Sequence, residues 1–236
     1  MARYPEISVV VPALNEEKYI GHMFDGLSRQ IFKNFEVIVV DGNSTDKTRV
    51  IARKRHARVL VEKRKGMGLA RNVGARVARG RIIVFLDADT KPSPTLLDAY
   101  HEGMEGGVVA ATGPILPLED AKKTISLGYR FVSTLFVRLT INVGRPALVG
   151  SNFAVMKREF NRVHGFNKNF MTYEDWDLSA RMGKLGSIRY IDDALVYTSV
   201  RRVQQWGIIG YVAFYAVNFL KYHLFKKPNK KYEQIR

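Results

Sequence analysis

Apolar and β-branched residues along the chain fall into short runs separated by polar turns. Ile7-Ser8-Val9-Val10-Val11 closes on Pro12, which predicts a buried strand. Asn15-Glu16-Glu17 then opens a predicted helix through about Gln30, with Ile20, Met23, Phe24 and Leu27 on one face. Phe35 to Val40 reads as a second buried strand, stopped by Asp41-Gly42. Ser44-Thr45-Asp46 has the chemistry of a helix N-cap, and a helix is expected from Asp46 to Lys54. Arg58 to Val61 is a short strand. Gly66-Met67-Gly68 precedes a helix from Leu69 to Ala78, ended by Gly80. Ile82-Ile83-Val84-Phe85-Leu86 is a third strong strand, and it runs straight into Asp87-Ala88-Asp89.

Strand and helix thus alternate through the first ~90 residues, a pattern that predicts a parallel sheet with right-handed crossovers. Such sheets bind ligands beyond the carboxyl ends of their strands. Pro12 to Glu16, Asp41 to Asp46 and Asp87 to Asp89 all lie just past strand ends, so they should converge on one edge. The second half is less regular. Leu96 to Met104 and Ile125 to Leu139 read as helical, the latter with Arg130 and Arg138 embedded. Val108 to Thr112 reads as a strand. Ala147 to Met156 is a strand interrupted by Gly150-Ser151-Asn152. A helix is expected from near Glu174-Asp175 to about Lys184, then short strands at Ile188 to Ile191 and Ala194 to Thr198. Trp206 to Phe225 is apolar with interleaved aromatics, and lysines follow.

Composition narrows the chemistry. The chain has 236 residues, 46% hydrophobic and 25% charged, enough for one sizeable α/β core. There is no cysteine, which excludes disulfides, thiolate nucleophiles and cysteine-ligated zinc. The segment Met1 to Glu6 runs directly into a strand and lacks the pattern of a signal peptide, so a cytoplasmic location is expected. The formal net charge is +16, concentrated in a run from Arg49 to Lys65 and in the tail after Lys221. A surface of that sign attracts anionic headgroups, phosphorylated substrates or nucleic acid, or is simply a solvated basic face.

Several acidic groups stand where chemistry is expected. Asp87 and Asp89, two apart after a buried strand, can hold a hard divalent cation against a diphosphate, or merely end the strand. The same spacing recurs in Asp175-Trp176-Asp177, so spacing alone does not single out Asp87 and Asp89. Their strand and the edge they share with Asp41 do. Asp41 at a strand end can accept a hydrogen bond from a base imide N–H, while Ser44 and Thr45 also suit helix capping. Arg71 on its helix can reach phosphate or base, or lie on a solvated face. Glu174-Asp175 suits a favourable helix start, or a general base that takes the proton of an attacking hydroxyl.

At these residues the chain resembles a family 2 glycosyltransferase of the GT-A fold. Val9-Val10-Val11-Pro12-Ala13-Leu14-Asn15-Glu16 resembles the opening strand and loop of that family, and Val40 to Asp46 its second nucleotide-binding loop. Gly68 to Gly74 resembles the helix before the metal motif, Leu86-Asp87-Ala88-Asp89 that motif itself, and Glu174-Asp175 the acceptor-side acidic pair. The resemblance covers about residues 6 to 200 and implies a Rossmann-like, mostly parallel α/β sheet flanked by helices, with a helical C-terminal extension. It implies a GT-A domain over 1–205, split into a nucleotide-sugar half (1–90) and an acceptor half (91–205), followed by a tail at 206–236. Pro12, Asn15, Glu16, Asp41 and Ser44 would surround the nucleoside. Arg71 would support base or diphosphate. Asp89 would ligate Mg2+ or Mn2+, and Asp87, with Ala88 between them, would face the ribose or the metal. Asp175 would be the general base, with Glu174 beside it. The family inverts anomeric configuration. Arg201 and Arg202 are similar to a basic element that some members place over the diphosphate, although Gln205-Trp206 lacks the arginine of the Gln-x-x-Arg-Trp form.

The acceptor is expected to be a saccharide or a lipid-linked phosphate. Trp206 to Leu220 is shorter than the roughly 20 residues a membrane span needs, which leaves an interfacial helix on the cytoplasmic face or a C-terminal core helix. A nucleotidyltransferase would need a glycine-rich loop with Arg and Lys near the N-terminus, and Val11 to Asn15 offers none. Nucleic acid is not an expected partner, because carboxylates at the binding edge repel phosphate unless a metal intervenes. A catalytically inactive nucleotide-sugar or polyanion binding module on the same fold is the alternative.

Overall fold

The strand at Ile7–Ala13 (β1) is buried at every position, and a computed structural model shows why. It describes residues 4–118, 134–135, 137–141 and 148–207, with isolated positions 210, 213, 214, 217 and 221. β1 pairs in parallel on both sides, with β2 (Phe35–Asp41) from Ile7↔Phe35 to Ala13↔Asp41, and with β4 (Ile82–Leu86) from Ile7↔Ile82 to Val10↔Phe85. Its alternate side chains enter separate cores. Val9 and Val11 join Ile20, Met23, Phe24 and Leu27 of helix α1 (Ile20–Ser28), and Ala52 of helix α2 (Thr48–Lys54). Val10 joins Ile38, Val40 and Ala75 of helix α3 (Met67–Val77). Burial on both faces removes the usual polar alternation, which is why the strand reads as an apolar run interrupted only by Ser8.

The main sheet has seven strands in the order β3-β2-β1-β4-β8-β6-β9. Its outer members are β3 (Arg58–Val61), β8 (Asn152–Met156), β6 (Val108–Thr112) and β9 (Ser187–Tyr190). β8 runs antiparallel to both neighbours, from Leu86↔Asn152 to Ile82↔Met156 on one side, and the other pairs are parallel. The amino end of β8 therefore meets the carboxyl ends of β4 and β6. A second, three-stranded sheet orders β5 (Thr90–Pro92), β10 (Val196–Thr198) and β7 (Ile115–Pro117). Helix α4 (Leu96–Gly103), helix α5 (Lys157–Arg162) and helix α6 (Glu174–Met182) complete the described elements, with a helical turn at 201–207.

Most boundaries fall within two residues of the sequence pattern. The first helix differs: it begins at Ile20, not near Asn15. Asn15 takes a left-handed φ of 54°, and the amides of Asn15, Glu16 and Glu17 donate to side chains of the second loop instead of entering a helix. β5, β7 and α5 were not expected from the pattern. The two strands are three residues long, too short to show a period, and α5 is six residues. Of the apolar stretch from Ile125 to Leu139, positions 134–135 and 137–139 are described and helical, except that 136 and 125–133 lie outside the described residues. Arg130 and much of Trp206 to Phe225 lie outside them too. Among the described residues no helix is long and apolar enough to cross a membrane.

Candidate active site

The first two loops are stitched into one wall. Asn15 donates its backbone N–H to Ser44 Oγ at 2.9 Å, and its Oδ1 accepts the Thr45 N–H at 2.8 Å. The Glu16 amide donates to Thr48 Oγ1 at 2.8 Å. These bonds hold Asn15 and Asn43, both with positive φ, in turns that an L-residue adopts reluctantly. Asp41 is fully buried at the end of β2. Its Oδ2 accepts the Ser44 N–H at 3.0 Å and lies 3.4 Å from Arg49 Nε. Its Oδ1 is buried with no hydrogen-bond partner among the described residues. An orphaned acceptor inside a protein costs free energy unless a ligand or water supplies a donor.

At the next strand end Arg71 is the centre. It projects from α3 and is 2% exposed. Nη1 donates to Glu174 Oε1 at 3.0 Å, while Nη2 donates to Asp87 Oδ1 at 2.9 Å and to the Gly150 carbonyl at 2.8 Å. The guanidinium also lies over the rings of Phe166 and Phe153, 5.6 and 6.0 Å from the centroids. One arginine thus ties the Asp87 loop to the start of α6. Asp175, the next residue, accepts the Gly150 N–H on Oδ2 at 3.1 Å and the Trp176 N–H on Oδ1 at 2.9 Å.

Arg201 closes the other side. It forks onto Glu16 with bonds of 2.9 and 2.6 Å, and Nη2 stands 3.1 Å from Asp89 Oδ2. Its guanidinium covers the Tyr19 ring at 4.9 Å. The small sheet puts it there. Thr198 pairs with Thr90, one residue past Asp89, and the Ser199 amide donates to the Asp89 carbonyl at 3.2 Å. Arg202 lies over the Trp206 ring at 5.5 Å.

Crowding of acids leaves its mark on their protonation. Burial, then the charge of Asp87, pushes Asp89 up to about 7, with Arg201 opposing. Burial, then Asp175, pushes Glu174 up to about 7 against the pull of Arg71. Burial raises Asp175 as well, held back by Arg71 and by the Trp176 and Gly150 amides. Burial disfavours the charge on Arg71, and the carboxylates of Asp87, Glu174 and Asp175 more than offset it. The rim is therefore short of positive charge while the rest of the molecule has an excess. Among the described residues no group of three or more His, Cys, Asp or Glu side chains could hold a metal by itself. Two aspartates with hard oxygen donors fit a cation that takes its other ligands from phosphate and water.

A sequence model described as glycosyl transferase family 2 matches residues 8–165. The chain belongs to glycosyltransferase family 2. The chain is 28% identical over 202 residues to the chondroitin synthase of Escherichia coli, a match covering 81% of the chain and 28% of that protein. It spans 19% to 64% of the length of curated relatives such as this one. Among solved structures it resembles a mannosyltransferase from Pyrobaculum calidifontis in complex with GDP-Man and Mn2+. That match has a TM-score of 0.64 at 22% identity, over 92% of this chain and 65% of the other. It also resembles glucosyl-3-phosphoglycerate synthase from Mycobacterium tuberculosis in complex with Mn2+, UDP and glucosyl-3-phosphoglycerate. There the TM-score is 0.60 at 20% identity, over 96% and 82%. The fold of this glycosyltransferase is GT-A, as the sequence resemblance implied.

The residues expected at the site meet at one rim. Glu16, Asp41, Ser44, Asp87, Asp89, Arg71, Glu174, Asp175 and Arg201 are joined through the contacts above, with Pro12 and Ala88 packed beneath. Arg71 stands differently from its expected place against base or phosphate: its outer nitrogens are engaged by carboxylates and a carbonyl beneath the rim. Gly150, Tyr19 and Arg49 were not singled out as site residues. Gly150 sits in the strand interruption that the pattern marked, and Arg49 opens the basic run, so each left a faint trace. A cavity of about 420 Å³ among Phe35, Glu36, His56, Arg58 and Arg79 lies at the amino end of β2, away from these groups.

Proposed function

We propose that this chain transfers a sugar from a UDP- or GDP-linked donor to an acceptor hydroxyl or phosphate, with inversion at the anomeric carbon. The observation that carries the reading is the single rim on which Asp41, Asp87, Asp89 and Asp175 meet, with a buried, unpaired Asp41 Oδ1 at one end and a raised-pKa carboxylate at the other. Asp41 Oδ1 is suited to accept an N–H from the base. Pro12, Asn15, Glu16 and Ser44 form the wall on which the nucleoside lies. Asp87 and Asp89 would hold Mg2+ or Mn2+, which supplies electrostatic stabilisation for the departing diphosphate. Arg201 and Arg202 stand beside that position with their own positive charge. Asp175 takes the proton of the attacking group as the new bond forms, and its raised pKa brings it closer to that of a useful base at neutral pH.

A saccharide or lipid-linked phosphate acceptor fits a molecule of net charge +16 whose helical residues Leu135 and Leu139 are 44% and 52% exposed. The protein would then work as a peripheral enzyme on an anionic surface. Flotation with anionic liposomes is expected to carry it upward, and failure to co-migrate would remove the membrane from this reading. Thermal-shift screening against UDP-sugars and GDP-sugars, with and without Mn2+, tests the core claim. One nucleotide series should raise the melting temperature in a metal-dependent way. No shift with either series would overturn the assignment. A shift without turnover of any donor would favour an inactive binding module.

A further inference from the structure

Among the described residues, Gly150 has its backbone against both the Arg71 guanidinium and the expected base. Its carbonyl accepts from Arg71 Nη2 at 2.8 Å, and its N–H donates to Asp175 Oδ2 at 3.1 Å. The peptide is fixed from both sides. The Asn152 amide donates to the Val149 carbonyl at 2.8 Å, closing a tight turn with Gly150 and Ser151 at its apex. Before it, the Leu148 amide donates to Ser179 Oγ at 2.9 Å, and that hydroxyl donates to the Asp175 carbonyl at 2.6 Å. After it, the Asn152 side chain is buried, bonded to Tyr100 at 2.7 Å and to the Ala194 carbonyl at 2.8 Å. The turn thus has little freedom, and it carries Asp175 with it.

Space explains the glycine. A Cβ at position 150 would stand 3.0 Å from Arg71 Nη2, 3.3 Å from Asp175 Oδ2 and 3.5 Å from Arg71 Nη1. Any side chain presses on both partners of the peptide at once.

The geometry points to Gly150 as a positioning residue for Asp175: a side-chain-free stretch of backbone, clamped by Arg71, that engages Oδ2 while the Trp176 amide engages Oδ1, so that the carboxylate is fixed in plane and its remaining lone pairs are left for the acceptor proton. This rests on the reading of Asp175 as the base in the proposed transfer. A fixed aim matters because a misplacement of about 1 Å in a reacting group can cost on the order of 10²-fold in rate.

The test compares full-length wild type with Gly150→Ala. The measurements are steady-state kinetics on whichever UDP- or GDP-sugar the wild type turns over, UDP- and GDP-Mn2+ affinity by calorimetry, and the melting temperature. The expected result is a kcat lower by on the order of 10²-fold, with donor KM and nucleotide affinity within about twofold of wild type. Unchanged kcat would overturn the proposal. So would a parallel loss of kcat, nucleotide affinity and melting temperature, which marks a merely structural glycine. A second measurement needs no activity. In the wild type the Gly150 amide should be protected from exchange, and its NMR resonance should move in Asp175→Asn. An unprotected amide that ignores that substitution would overturn the clamp even where Gly150→Ala fails to fold. Wild type inactive on every donor strikes the transfer reading instead, and the clamp then stands or falls on the amide.

Discussion

At the scale of single residues, the site depends on side chains that cannot be satisfied by themselves. Asp175 accepts one backbone amide on each carboxylate oxygen, of which an asparagine can keep only one, and it stands at the end of the site away from the wall of Asn15, Asp41 and Ser44. Asp175→Asn should therefore keep nucleotide binding while kcat falls by roughly 10²- to 10⁴-fold, the usual cost of losing a general base; calorimetry beside initial rates separates the two. A second residue-scale prediction concerns His56. It follows α2 with φ 59°, and the amides of His56 and Ala57 donate back to Arg53 and Ala52, the pattern of a helix end that normally carries glycine. His56→Gly should stabilise the fold by about 1 kcal/mol, read as a higher urea midpoint at unchanged slope. The placement of Asp41, Asp87 and Asp89 was legible because each follows an apolar run at a strand end, and that of Asp175 because it stands in the acidic first turn of a helix. Arg71 was legible as important but not as buried. Its partners Glu174 and Gly150 lie 103 and 79 positions away, and no local pattern encodes a pairing at that distance.

At the scale of elements, crossovers between parallel strands fix the rim, and close approach fixes the crossovers. Gly74 brings α3 against the sheet, where a Cβ would stand 2.4 Å from Val10 Cγ1 and 3.1 Å from Val40 Cγ2. Gly74→Ala is expected to cost about 1–3 kcal/mol by overpacking, despite the better helix propensity of alanine. Arg71 rides on the same helix, so nucleotide affinity in the variant should fall along with the denaturation midpoint. Strands β1 and β4 could be read from sequence because burial on both faces makes each a nearly continuous apolar run, and β2 because Val37 to Val40 is one. The small sheet could be read only in part. Val196–Thr198 falls within the strand expected at Ala194 to Thr198, but Thr90–Pro92 and Ile115–Pro117 are too short for any period and form by pairing with it. That sheet is what delivers Arg201 to Asp89, so the least readable element places a charged member of the site.

At the scale of the molecule, the rim opposite the site has its own electrostatic lock. Glu36 accepts from Ser8 Oγ at 2.8 Å and from the Arg79 amide at 2.8 Å, and it pairs with Arg79 Nη2 at 2.9 Å. Burial raises its pKa, but the hydrogen bonds from Arg79 and Ser8 outweigh burial and leave it below the ordinary 4.5. The unfolded chain therefore takes up this proton first. The contribution of Glu36 is complete above about pH 4.5 and disappears as pH falls through the lower folded value. Urea midpoints between pH 6 and pH 3 should fall less steeply in Glu36→Gln than in wild type. The one reversed strand has a different kind of consequence. β8 enters the sheet at Asn152 beside the end of β4, and β7 leaves the small sheet at Pro117, so the chain between them begins and ends within the framework. The closing end of that interval, Leu148 to Asn152, is bonded to Ser179, to Asp175 and to itself, so a change of its length is compatible with the Asp175 contact only upstream of Leu148.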